Sequence, residues 1–252
     1  MILLFDIGNT HTHVGMANSR RVLRHVNLPT DAWGARGNRD GLKKFAGNSR
    51  VEGAALCSVV PKRTKWVRKA ISSFGEVCCV ELTSKTEAGV GIDYPRPETI
   101  GPDRLANAIA ARYWHGAPVL VVDFGTAVTF DVVDQSGNYA GGVIAPGISA
   151  MTDYLHEKTA LLPKIEIRDT KAVIGKNTEQ AMRIGAVHGY RGLIKEIIGE
   201  IKRELKARRL PVIATGGCAR LMARGIPEIT EVDPLLTLEG LRLTWEAGLS
   251  EA

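Results

Sequence analysis

Two Asp-x-Gly turns follow short apolar runs, and they carry the residue types that hold a phosphate chain and its cation. Asp6 and Gly8 come after the run 2–5, and Asp123 and Gly125 come after the run 119–122. Glycine permits a tight turn in which backbone N–H groups and nearby hydroxyls converge on an anion. Because Mg²⁺ is usually bound by one or two carboxylates together with phosphate oxygens, each turn predicts a phosphate and cation site.

The two turns lie in segments that repeat. Residues 2–12 align without a gap on residues 119–129, sharing four apolar residues, Asp, an apolar residue, Gly and a small polar residue. Each apolar run predicts a buried strand, and the alternating residues after each turn predict a second strand, so both copies are predicted hairpins. A single Asp-x-Gly hairpin needs no ligand. The duplication favours phosphate binding, with the two hairpins facing each other as a clamp.

Length and composition indicate a folded protein of ordinary type. The 252 residues are enough for one large domain or two of ordinary size, and the hydrophobic share of 44% is that of a soluble globular protein. No stretch of 18 uninterrupted apolar residues occurs, and Asp6 interrupts the first apolar run too early for a secretory signal. The four cysteines contain no Cys-x-x-Cys pair. We therefore expect a cytoplasmic protein with reduced thiols and no membrane association.

The net charge of +6 does not by itself identify a partner. Lys and Arg are spread widely, so a small anionic ligand explains the charge as well as a nucleic acid does. The densest basic stretch, 61–69, is interpreted as a solvated helix face, and we expect no nucleic-acid partner. Neither a P-loop nor a G-x-G-x-x-G turn after a strand is present.

Further landmarks lie outside the two repeats. Asp103 stands at the start of an Ala-rich predicted helix, where a carboxylate can simply cap free N–H groups, and spacing alone leaves capping and catalysis open. The Pro-braced loop 94–98 is either a pocket wall or a plain connector. Asn177 and Gln180 predict a capped helix start. His11 and His13 share one side of a strand, but with no third ligand nearby a metal site there is disfavoured.

In order and spacing, these motifs resemble the type III pantothenate kinases of the actin, Hsp70 and sugar-kinase superfamily. The residues that carry the likeness are 6–10, 101–104, 123–127, 141–147 and Thr215-Gly216-Gly217. The resemblance implies an α/β fold with two ribonuclease-H-like (actin-like ATPase) domains, each a mixed five-stranded sheet with flanking helices. We expect domains at 1–117 and 118–252. Residues 235–249 are apolar enough to form a helix, and its packing on the first domain is left open.

The implied activity is ATP-dependent phosphorylation of pantothenate to 4′-phosphopantothenate, the first step of coenzyme A biosynthesis. Asp103 matches the family's catalytic base, which orients the acceptor hydroxyl and takes its proton. The positions matching ATP and phosphate contacts are Asp6, Ile7, Gly8, Asn9, Thr10, His11, Thr12, His13 and Thr126. The positions matching pantothenate contacts are Tyr94, Gly101, Pro102, Asp103, Arg104 and Thr178.

The resemblance also implies cations and a partner. Asp6 is expected to anchor Mg²⁺ with ATP, and Asp123 matches the position that binds a monovalent cation, K⁺ or NH₄⁺. A homodimer is expected, with the substrate pocket at the subunit interface. One alternative is a non-catalytic binding protein, since a relative known as the Bvg accessory factor was named for a role in transcription. Another is a sugar kinase or acetate-like kinase of the same superfamily, which the motif 101–104 disfavours.

Overall fold

A computed structural model describes residues 1–34 and 38–250. These residues form two compact units. The first contains Met1–Gly116, Gly137–Ala140 and the chain from Leu235 onward, and the second contains Ala117–Ser136 and Gly141–Pro234. Each unit has its own apolar core, and the chain forms two sheets.

Strands and helices follow one another along the whole described chain. Up to Gly116 the structure has β1 (Ile2–Ile7), β2 (His11–Ala17), β3 (Val22–Pro29), α1 (Arg39–Ala46), β4 (Gly53–Ser58), α2 (Pro61–Ile71), β5 (Cys78–Glu81), β6 (Gly91–Ile92) and α3 (Pro102–His115). After it come β7 (Val119–Phe124), β8 (Ala127–Val133), β9 (Asn138–Pro146), α4 (Ile148–Lys158), α5 (Thr178–Ile184), α6 (Tyr190–Glu204), β10 (Val212–Thr215), α7 (Ala219–Ala223), β11 (Glu231–Val232) and α8 (Leu236–Ser250). Among the described residues, no helix is both long and apolar enough to cross a bilayer.

The first unit is built on a mixed five-stranded sheet in the order β3-β2-β1-β4-β5. Strand β1 is antiparallel to β2 and parallel to β4, so the carboxyl ends of β1 and β4 meet at one edge. Residues 2–5 and 53–57 are buried, as expected of central strands covered on both faces.

The second unit repeats this order around β7. Strand β7 is antiparallel to β8 and parallel to β10, and the sheet runs β11-β10-β7-β8-β9. This repetition confirms the predicted fold class of two ribonuclease-H-like sheets with flanking helices. The predicted strand number is wrong for this sheet, because β6 pairs in parallel with the first residues of β9 and makes a sixth strand. A two-residue strand leaves no periodic signal in a sequence.

Helix α8 belongs to the first unit, a packing that the sequence had left open. Its close packing depends on glycine: a Cβ at Gly240 would lie 1.9 Å from the carbonyl oxygen of Ala106 in α3. Glu239 and Arg242 are buried on the same helix and form an ion pair at 2.7 Å. Glu239 accepts the backbone N–H of Val22, which fixes α8 to the start of β3.

Both predicted hairpins are confirmed, but their turns differ in length. Four residues, 8–11, separate the paired residues Ile7 and Thr12. Three residues, 125–127, separate the paired residues Phe124 and Val128. The sequences align without a gap, so this difference arises from backbone pairing and not from an insertion.

Candidate active site

The first turn is closed by its own backbone. The N–H of Gly8 donates to the carbonyl oxygen of His11 at 3.0 Å, and a Cβ at Gly8 would lie 3.0 Å from that oxygen. Asn9, Thr10 and His11 are exposed, so their polar groups are accessible for a ligand. Ile7 is buried, so only its backbone can contact a ligand.

Thr30 stabilises this turn by hydrogen bonds to its backbone. Its hydroxyl donates to the carbonyl oxygen of Gly8 at 2.8 Å, and its N–H donates to the carbonyl oxygen of Thr10 at 3.0 Å. Thr12 is fully buried, and its hydroxyl lies 3.0 Å from that of Thr30. The Thr12 hydroxyl is therefore used in a contact within the protein. Nδ1 of His13 lies 2.7 Å from Oδ1 of Asn27. No group of three or more potential metal-ligating side chains occurs in the described part of the chain.

Asp6 lies at the end of β1 beside Cys57 of β4. The Cys57 thiol donates a hydrogen bond to Oδ1 of Asp6 at 3.5 Å. Complete burial raises the pKa of the Cys57 thiol well above its usual value, and the negative charges of Asp6 and Asp103 raise it further. One buried thiol is thus influenced by both carboxylates, so the first unit brings Asp6 and Asp103 into the same region.

Asp103 occupies the first turn of α3, after Gly101 as the N-cap and Pro102 as the first residue of the helix. Its Oδ1 accepts the backbone N–H of Arg104 at 2.9 Å, and a Cβ at Gly101 would lie 2.5 Å from that oxygen. Desolvation raises the pKa of the Asp103 carboxyl, against the lowering effects of the Arg104 N–H and charge. A carboxylate of raised pKa is a stronger proton acceptor. The helix-start interaction and a role as a base are therefore compatible.

Arg104 and Tyr94 are joined through a residue that sequence reasoning missed. Tyr139 is 1% exposed, and Cζ of Arg104 lies 5.8 Å from the centroid of its ring. The ring of Tyr94 lies edge-on to Tyr139 with centroids 6.2 Å apart. Tyr139 lies in β9, far from Tyr94 and Arg104 in sequence. The only signal for it in the sequence is that it is an aromatic residue near the start of a strand.

The second turn is shaped by two glycines from distant segments. The N–H of Gly147 donates to the carbonyl oxygen of Thr126 at 3.1 Å, and a Cβ at Gly147 would lie 2.4 Å from that oxygen. Gly216 has a φ of +88°, and a Cβ there would lie 2.4 Å from Oδ1 of Asp123. The predicted motif Thr215-Gly216-Gly217 therefore packs directly beside Asp123. Thr126 is exposed at the tip of the turn.

Thr178 is the first residue of α5 in the second unit. The side chain of Asn177 accepts the N–H of Gln180 at 2.9 Å, which confirms the predicted cap. Gln180 was predicted to complete a capping box, in which its side chain accepts the N–H of the cap residue Asn177, but its Oε1 accepts the N–H of Lys176 instead. Thr178 is exposed, so its hydroxyl is accessible.

The predicted residues thus fall into two groups. The first unit holds Asp6, the turn 8–11, Tyr94 and the segment 101–104, and the second holds Asp123, Thr126 and Thr178. The first group combines a turn suited to phosphate with a carboxylate of raised pKa. These are the parts that transfer of a phosphoryl group to a hydroxyl requires.

Two solved structures have a fold similar to that of this chain. A protein of Sinorhizobium meliloti described as a 2-dehydro-3-deoxygalactonokinase has a similar structure, with a TM-score of 0.60 and 12% identity over 100% of this chain and 99% of that one. A protein of Campylobacter jejuni described as a Baf family transcriptional activator also gives a TM-score of 0.60, with 18% identity over 98% of this chain and 99% of that one. At these identities both likenesses concern the fold alone.

Sequence comparison is more specific. The family model for type III pantothenate kinase matches residues 2–200. The type III pantothenate kinase of Akkermansia muciniphila is 45% identical over 250 residues, which cover 98% of each chain. The chain therefore belongs to the type III pantothenate kinase family.

Proposed function

We propose that this protein transfers the γ-phosphoryl group of ATP to the hydroxyl of pantothenate, giving 4′-phosphopantothenate for coenzyme A synthesis. The observation that carries the proposal is the Asp103 carboxyl, which has a raised pKa and lies in the same unit as Asp6 and its turn. Membership of the family supports pantothenate as the acceptor.

Asp103 acts as the base in this reaction. The hydroxyl oxygen of pantothenate forms a bond to the γ-phosphorus, the bond from that phosphorus to the bridging oxygen breaks, and ADP leaves. The hydroxyl proton passes to the Asp103 carboxylate. Because the transition state of phosphoryl transfer is loose, positioning and charge neutralisation provide most of the rate enhancement. Gly101 permits the observed approach of its backbone to Asp103, which any side chain there would obstruct.

Asp6 and the first turn bind Mg²⁺ and the phosphates. A carboxylate oxygen is the ligand type that Mg²⁺ takes from proteins, and Asp6 fits this role at the end of its strand. The exposed residues Asn9, Thr10 and His11 contact ATP, together with the backbone of Gly8 and, from the second hairpin, Thr126. Ile7, Thr12 and His13 contribute to the shape of the turn.

Asp123 binds the monovalent cation, K⁺ or NH₄⁺, whose charge offsets that of the phosphates. Its carboxylate lies against the backbone of Gly216. A side chain at position 216 would displace this carboxylate. Tyr94, Gly101, Pro102, Arg104 and Thr178 contact pantothenate. We also expect a cytoplasmic location, from the lack of a long apolar stretch or export signal in the sequence.

The protein acts as a homodimer. The second unit has exposed large apolar side chains on β9, on α4 and in the segment that follows α4. They are Ile144, Met151, Tyr154, Leu155, Leu161, Val173 and Ile174. Exposed large apolar side chains favour coverage by a partner, and a second copy is the partner the family implies. Light scattering after gel filtration measures the mass of the assembly.

An ADP-release assay tests the proposed function. Purified protein is given ATP and Mg²⁺ with pantothenate, with a hexose, or with no acceptor, in buffers containing potassium or sodium as the monovalent cation. We expect ADP release only with pantothenate and faster release in potassium. Turnover with the hexose alone would favour the sugar-kinase alternative, and no turnover from folded protein would favour the non-catalytic one.

A further inference from the structure

The short segment Gly137–Ala140 is part of the first unit, although residues of the second unit precede and follow it in sequence. It is held there by pairing of β6 with β9, in which Gly91 faces Asn138 and Ile92 faces Tyr139. The N–H of Asp93 donates to the carbonyl oxygen of Tyr139 at 3.0 Å. The backbone that leads into Tyr94 is therefore fixed directly to Tyr139.

The side chain of Tyr139 makes a second connection to the same region. The centroid of its ring lies 5.8 Å from Cζ of Arg104 and 6.2 Å from the centroid of the Tyr94 ring. The ring is 1% exposed. A cation–π contact is stronger where the ring is shielded from water, because less solvent competes for the cation.

We propose that Tyr139 is a positioning residue for pantothenate, holding Arg104 and Tyr94 in their binding orientations without touching the substrate. This inference rests on the proposed function, in which both residues contact pantothenate. Pantothenate is a carboxylate, and a guanidinium held in one direction binds a carboxylate better than one that samples several orientations. Tyr94 is 37% exposed, so its edge contact with Tyr139 restricts a ring that would otherwise move in solvent.

A purely structural role for Tyr139 makes a different prediction. If the ring only fills space, its removal lowers stability without selectively weakening pantothenate binding. If it orients two binding residues, its removal raises the KM for pantothenate and leaves kcat and the KM for ATP unchanged, because loss of uniform binding appears in KM.

The test compares Tyr139→Leu and Tyr139→Phe with a matched control, Tyr190→Leu. Tyr190 is also 1% exposed, but its ring packs against Phe124 in the second unit. For Tyr139→Leu we expect a KM for pantothenate raised about tenfold, which corresponds to the loss of one shielded cation–π contact. Tyr139→Phe keeps the ring and should retain a KM near that of the wild type. Tyr190→Leu should lower the melting temperature without this change in KM.

A double-mutant cycle with Arg104→Gln shows whether Tyr139 acts through Arg104. We expect the KM for pantothenate of the double variant, Tyr139→Leu with Arg104→Gln, to be little higher than that of Arg104→Gln alone. The contact between the guanidinium and the ring is already lost in Arg104→Gln. A folded Tyr139→Leu protein with the wild-type KM, or additive effects in the cycle, would overturn the inference while leaving the proposed function intact. Absence of pantothenate turnover in the wild type would overturn both.

Discussion

Cys57 and Asp6 face each other across the parallel strands β4 and β1, and the Cys57 thiol donates to Oδ1 of Asp6 at 3.5 Å. Burial keeps the pKa of this thiol well above its usual value, so the thiol remains a donor at neutral pH. A donor on one carboxylate oxygen restrains the direction of the other. The pair therefore connects the central sheet of the first unit to the proposed Mg²⁺ ligand.

Replacing Cys57 tests this restraint. Cys57→Ala removes the donor, and we expect the Mg²⁺ concentration for half-maximal activity to rise about twofold to tenfold, as for loss of one modest hydrogen bond. Cys57→Ser keeps a donor and serves as the matched control. A Mg²⁺ titration of ADP release measures the effect. Equal Mg²⁺ requirements for Cys57→Ala and the wild type would show that the thiol does not restrain Asp6.

The raised pKa of Asp103 predicts the pH dependence of activity. The base must be ionised, so the acid limb of kcat/KM should have its midpoint above the usual Asp pKa of 3.8. A pH–rate profile with saturating ATP and Mg²⁺ measures it. A limb at or below the usual value would contradict the desolvation that the structure indicates.

The same shift predicts an effect on stability. The folded protein binds the Asp103 proton more tightly than the unfolded chain does, so this contribution is present below pH 3.8 and is lost as the pH rises through the folded-state pKa. Asp103→Asn cannot ionise, so it should melt at a higher temperature than the wild type at pH 7. The difference should shrink in acid. A lower melting temperature at pH 7 would mean that the ionised carboxylate stabilises this helix start.

The buried pair Glu239–Arg242 is expected to matter more for stability than an exposed pair. Glu239→Gln leaves the Arg242 charge without its partner carboxylate, and we expect a loss of about 3–5 kcal/mol in the free energy of unfolding. Glu81→Gln in the exposed pair with Arg68 is the control, with an expected loss below about 1 kcal/mol. Urea denaturation measures the free energy of unfolding of both variants. Similar losses in the two variants would contradict the claim that the buried pair matters more for stability than the exposed pair.

Strands and turns with strong local patterns could be predicted from the sequence. The two hairpins follow from repeated apolar runs, and the start of α3 follows from Gly101 and Pro102 before an Ala-rich segment. The actin-like architecture came from the resemblance together with this repetition. Asp103 was identified at the correct end of its helix because position in a helix is set locally.

Features that depend on distant segments could not be predicted. Pairing of β6 with β9 places Tyr139 beside Arg104, and no local pattern in 137–140 indicates this. The Thr12 hydroxyl contacts Thr30, which only the pairing of β2 with its neighbours brings near.

The most direct test of the central claim is the fate of the phosphoryl group in the wild type and in Asp103→Asn. Each protein is incubated with ATP, Mg²⁺, potassium and pantothenate, and the products are followed by phosphorus NMR, with ATP binding measured by calorimetry. The wild type should form a phosphomonoester of pantothenate. Asp103→Asn should bind ATP normally and form this product on the order of 10²–10⁴ times more slowly. Product formation by Asp103→Asn at the wild-type rate would contradict the assignment of Asp103 as the base.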